Sequence, residues 1–111
     1  MPTKKNDLFT EEEQEMASIA SALSHPARIA ILKFLAQKND CICGDLVAEL
    51  PLAQSTVSQH IKELKKVDLI KGEIEGVKTC YCINWDTIEK VIAEFGSLFN
   101  NLKTSYKNSC C

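Results

Sequence analysis

Three residues, Pro51-Leu52-Ala53, separate two stretches that both read as helix, and this short joint admits few architectures. Downstream, Val57, Ile61 and Leu64 fall at i, i+4 and i+7, one stripe of a 3.6-residue period running from Gln54 to Lys66. Upstream, residues 44–50 read as a shorter helix. Two short helices around a tight joint form a helix-turn-helix pattern. The period then changes: residues 69–74 and 77–83 read as strands, with Glu75-Gly76 as a hairpin turn. A hairpin in that position is a wing. The expected fold is mainly α with a β-hairpin (α+β). It is a winged helix-turn-helix in the order helix, helix, helix, recognition helix, strand, strand, helix.

The face opposite the Val57 stripe holds small hydroxyls, an amide and cations. Ser55, Thr56, Ser58, Gln59, His60 and Lys62 are the candidate DNA contacts. Amides and hydroxyls pair with base edges or phosphates, and lysines with phosphates. Lys62, Lys66 and Lys78 are candidate phosphate contacts, setting affinity and salt dependence and not sequence choice. His60 lies nearer the buried flank than Gln59, so bracing the helix and bonding a phosphate stand level for it. The bland alternative is a solvated polar face on a core helix. Bulk charge gives DNA binding no support, because the chain carries a net charge of −2. Five acids and two lysines sit in residues 1–15, which leaves 11 basic and 10 acidic residues in the remainder.

The rest of the chain frames this helix. Thr10-Glu11-Glu12-Glu13 is a capping box that opens a first helix with Met16, Ile19, Ala20 and Leu23 on one face. Ser24-His25-Pro26 stops it, with His25 a turn residue and Pro26 in the first turn of a second helix. There Ile29, Leu32 and Leu35, with Ile31 and Phe34, predict a central core helix. Asn84-Trp85-Asp86 is expected to cap a last helix, with Asp86 at or near the cap position, and Ile88, Val91, Ile92, Phe95, Leu98, Phe99 and Leu102 follow the helical series. That stripe is long for a small domain, so part of it is expected to bury against a second copy of the chain, paired with the first helix. The domain is expected to span residues 1–103, with 104–111 a flexible tail ending in cysteines. No apolar run approaches the ~20 residues of a membrane span, and the start lacks the apolar stretch of a signal peptide. A cytoplasmic location without a membrane partner follows as expectation. No nucleophile–base–orienter set, phosphate loop or paired carboxylates point to catalysis.

Six cysteines form three close pairs: Cys41/Cys43, Cys80/Cys82 and Cys110/Cys111. With no export signal and ample helical core, reduced thiols for metal or redox chemistry fit better than staples. Residues i and i+2 of a regular helix point ~200° apart. Cys41 and Cys43 therefore share an ion only if the backbone there is not helical, as where the chain enters the next helix. A helix N-terminus would also favour thiolate. Cys80 and Cys82 share one face of a strand; a packing role is the first reading, with reserve ligands as the second.

Three of these segments together are specific. Residues 22–32 (Ala-Leu-Ser-His-Pro-Ala-Arg-Ile-Ala-Ile-Leu), Cys41-Ile-Cys-Gly-Asp-Leu46 and residues 54–64 (Gln-Ser-Thr-Val-Ser-Gln-His-Ile-Lys-Glu-Leu) resemble the ArsR/SmtB family of metal-sensing winged-helix repressors. The likeness covers roughly residues 14–102. It implies a homodimer on a palindromic double-stranded operator, with no cofactor required for DNA binding, that is released by a soft ion. Two features depart from the family. Val77 and Lys78 stand where wings often carry an Arg. The last helix begins Asp86-Thr87-Ile88 and contains no His, so the family's histidine-rich zinc site is absent.

The resemblance implies Cys41 and Cys43 as ligands. Arsenite and antimonite, As(III) and Sb(III), prefer three sulfurs, so the third is expected from Cys110 or Cys111. If both tail cysteines join, four sulfurs suit Zn(II) or Cd(II), and Pb(II) completes the candidates. The competing readings are a thiol redox or persulfide sensor of the same fold, and a metal-sequestering protein that does not bind DNA.

Overall fold

The structure is a computed structural model that describes residues 8–38, 41–43, 50, 52–75 and 78–106. Within these it leaves the side chains of Cys43, Gln54, 73–75, Lys78 and Thr79 undescribed. Its first helix, α1 (Glu11–Ala22), starts on the predicted capping box. Thr10 Oγ1 accepts from the Glu13 N–H, and Glu13 Oε1 accepts from the Thr10 N–H, each at 3.0 Å. Helix α2 (Pro26–Lys38) opens on Pro26, and the His25 carbonyl accepts from the N–H groups of Arg28 and Ile29. Ile31 and Leu35 of α2 are fully buried, whereas Ile29, expected in the core, is exposed.

Residues Ile42–Cys43 form a strand, β1, where the sequence reading placed a non-helical approach to the next helix. The expected short helix over 44–50 falls on residues 44–49, outside the described residues. Helix α3 (Gln54–Lys66) follows, then β2 (Ile70–Glu75) and β3 (Lys78–Ile83), a hairpin as expected. β1 joins it as a third strand, in the order β1-β3-β2, antiparallel throughout. A two-residue strand carries too little pattern to be read from sequence. Only its partner's backbone groups define it.

Helix α3 ends in a Schellman turn. The Asp68 N–H donates to the Lys65 carbonyl at 3.0 Å, and the Leu69 N–H donates to the Leu64 carbonyl at 3.1 Å. Asp68 takes the left-handed conformation at φ 62°, a place usually given to Gly and tolerated by Asp. The turn lays Leu69 on Leu64, both buried, and delivers the chain into β2. Val57, Ile61 and Leu64 join Ile19, Ile31, Leu35, Ile70 and Ile83 in one core cluster. Burial of each such side chain contributes about 1.5–3 kcal/mol. The sheet thus fixes α3 through its buried stripe and leaves the other face to solvent.

The last helix, α4 (Trp85–Tyr106), runs three residues into the stretch expected as tail. Its cap is Asn84 and not Asp86: Asn84 Oδ1 accepts from the Thr87 N–H at 3.4 Å, and the Asn84 carbonyl accepts from Ile88. Ile88, Val91 and Phe95 pack against the core, while Ile92, Leu98, Phe99 and Leu102 are exposed. Lys90 Nζ reaches Glu15 Oε2 at 2.8 Å, joining α4 to α1. Among the described residues no single helix is long and apolar enough to cross a membrane.

Candidate nucleic-acid interface and cysteine cluster

The α3 stripe buries Val57, Ile61 and Leu64, so the helical period forces the opposite face outward. Ser55, Thr56, Ser58, Gln59, Lys62 and Lys66 are all exposed. No side chain caps the helix at Ala53 and no acid sits in its first turn, so its N-terminal N–H groups are open to anions. Glu63 is the acid nearest this face. Its Oε2 accepts from Gln59 Nε2 and from Lys66 Nζ, both at 3.3 Å. Gln59 and Lys66 are thus held by an internal partner that DNA would have to replace. The i+4 and i−3 spacing of Glu63 to these two residues was the signal for this contact.

Lys65, absent from the sequence-based set, joins Ser58, Ile61, Lys62, Lys66 and Tyr81 around a groove between α3 and the sheet. The groove gathers three cations, which gives α3 the local positive charge that the whole chain lacks. The Lys65 tip lies across Gly72, 3.1 Å from where a Cβ would stand. Lys78 opens β3 opposite Glu75 in the register. Its side chain lies outside the description.

His60 faces inward. Its Nδ1 accepts from Arg28 Nε at 3.0 Å, and its ring centroid lies 5.5 Å from that of His25. Arg28 Nη1 also donates to the Ala22 carbonyl at 3.3 Å. One guanidinium therefore ties the end of α1 and the start of α2 to the middle of α3. Desolvation first, then the charges of Arg28 and His25, hold the His60 imidazole below its ordinary pKa. A neutral ring is what an accepting Nδ1 requires. Of its two sequence readings, the geometry favours the brace over the phosphate contact.

The cysteines are grouped by the sheet. Ile42 is the register partner of Tyr81 and Cys43 that of Cys80, so Cys41 comes beside Cys82. Cys41 and Cys82 are joined by a disulfide, with Cα atoms 4.3 Å apart, the close spacing of a non-hydrogen-bonded pair. Cys80, opposite Cys43, is disulfide-bonded as well. These bonds correct the expectation of reduced thiols, because adjacent strands bring the residues within bridging distance. Cys80 and Cys82 are buried. Strand alternation puts them on the face of β3 opposite Tyr81 and Ile83. Cys110 and Cys111, the expected third ligands, lie outside the described residues. In this oxidised arrangement the described residues hold no ready group of three metal-ligating side chains.

Residues 25–71 match the family described as bacterial regulatory protein, arsR family. An HTH-type transcriptional regulator of Methanocaldococcus jannaschii is 35% identical over 83 residues, spanning 74% of this chain and 92% of the relative. The arsenical resistance operon repressor of Staphylococcus xylosus is 31% identical over 78 residues, covering 70% and 74% of the two chains. The chain belongs to the arsR family. An ArsR-like transcriptional regulator from Rhodococcus superposes with a TM-score of 0.72 at 20% identity, over 89% of this chain and 95% of that one, which shows the winged helix-turn-helix fold. The arsR-family match spans α2, α3 and the start of the wing, the elements that present the polar face. The family and these relatives are transcriptional regulators and not enzymes.

Proposed function

We propose that the chain is a homodimeric repressor that inserts α3 into the major groove of operator DNA and is released when a thiophilic metal or metalloid ion binds its cysteines. The observation that carries the DNA reading is the exposed face of Ser55, Thr56, Ser58, Gln59 and Lys62 on a helix whose other side is locked in the core. The Lys62, Lys65 and Lys66 groove supports phosphate contacts beside it. The S. xylosus relative is an arsenical resistance operon repressor, which supports As(III) or Sb(III) as the inducer class. The exposed apolar residues of α4 support dimerisation, with the two recognition helices about one DNA turn, ~34 Å, apart.

Fluorescence anisotropy on the DNA upstream of its own gene tests the reading. Lys62→Ala is expected to weaken binding uniformly across sequences and to lower the salt slope by about one. Gln59→Ala is expected to relax sequence preference. Arsenite is expected to release the DNA. Absence of binding at low salt rejects the repressor and leaves the metal-sequestering reading.

The Cys41–Cys82 disulfide favours a second reading, in which oxidation of the thiols and not metal binding carries the signal. Thiol counting by mass spectrometry after peroxide or arsenite treatment separates the two. Thiols consumed by peroxide but unchanged by arsenite would favour oxidation.

A further inference from the structure

We propose that the ion site lies at the sheet, formed by Cys41, Cys80 and Cys82, and does not require the C-terminal tail. The proposal rests on the repressor reading only for its output on DNA. Ion binding itself is independent of that reading. Its ligand class is a thiophilic ion, a trivalent metalloid on three sulfurs.

Three observations carry it. The register sets Cys41 beside Cys82 and Cys43 beside Cys80, so two Cys-x-Cys pairs meet across one antiparallel ladder. Cys80 and Cys82 are buried, yet they lie outside the apolar cluster that anchors α3. Cys41 and Cys82 already stand within bonding reach of each other. Alternation gives Cys80 and Cys82 a common face of β3.

Loading requires the reduced protein. A dithiol or phosphine supplies two electrons per disulfide and is itself oxidised, leaving two thiols. Arsenous acid then exchanges its three hydroxyls for three sulfurs. Three As–O bonds break, three As–S bonds form, and each thiol proton leaves with a hydroxyl as water. The site ties β1, whose chain leads on to α3, to the wing strand β3, so filling it acts on both DNA-facing elements at once.

The test uses the full chain reduced with a phosphine and titrated with arsenite. The readouts are thiolate-to-arsenic charge-transfer absorbance and native mass spectrometry. One arsenic per chain is expected. Cys80→Ser and Cys82→Ser are each expected to weaken binding at least tenfold, and the Cys110→Ser, Cys111→Ser double variant to bind as the unaltered chain. Cys41→Ser, at a half-buried position, guards against misfolding at the buried sites, and circular dichroism checks all variants. Unchanged affinity in folded Cys80→Ser and Cys82→Ser overturns the proposal, as does loss of binding in the tail variant. An ion bound through β3 without any effect on DNA would refute release of the repressor by the ion and leave the site standing.

Discussion

Helices α3 and α4 carry apolar stripes of the same period, yet the two stripes end in different places. In α3 the stripe vanishes into the chain's own core: Val57 is 2% exposed, Ile61 5% and Leu64 0%. In α4 no residue is buried, and Ile92, Phe99 and Leu102 are 66%, 60% and 56% exposed. The exposed members Trp85, Ile92, Phe99 and Tyr106 recur every seventh residue along one side, the repeat of a helix that packs against another helix. Periodicity reports that a face is apolar and says nothing of which surface covers it. One helix is held by its own chain, and the other has apolar surface to spare for a partner.

The comparison is broken most sharply in the core. Leu64→Ala is expected to cost about 2–5 kcal/mol in denaturant unfolding, because the fully buried side chain leaves a cavity beside Leu69. A loss below about 1 kcal/mol would mean that α3 is not anchored as described. On α4 the same test reads differently. Phe99→Asp is expected to leave the fold of each chain intact and to weaken self-association by at least about 2 kcal/mol. Sedimentation equilibrium would follow the dimer-to-monomer shift. An unchanged mass would place the dimer elsewhere.

The smallest effect concerns pH. The folded-state pKa of His60 is lowered from 6.5, so below that value the unfolded chain binds more protons than the folded one. The contribution of His60 to stability is therefore fully present above pH 6.5 and is lost as pH falls through the depressed folded value. Thermal unfolding across that range should show the decline. His60→Gln, which keeps an acceptor for Arg28 without titrating, should flatten it.

Much of this was legible in the residues. The joint at Pro51-Leu52-Ala53, the Val57 stripe and the change of period at the hairpin led to the winged helix-turn-helix. The Thr10 capping box and Pro26 set two helix starts correctly. These signals are local, and local spacing suffices to state them. Asn84, two residues before Asp86, is the cap of α4 because the helix already begins at Trp85. Glu63 was visible as a neighbour of Gln59, but its hold on Gln59 and Lys66 depended on rotamers that spacing alone leaves open.

By itself, then, the sequence determined which residues of α3 face the core and which face outward, because a helix of fixed pitch converts spacing into direction. It determined also that the cysteines come in pairs. Only the tertiary structure decided which pairs meet. Cys41 and Cys82 are 41 residues apart along the chain, and nothing in their neighbourhoods links them. They become neighbours because β3 pairs with β2 on one edge and accepts β1 on the other. Strand register is a property of two segments at once, which a single stretch of sequence does not carry.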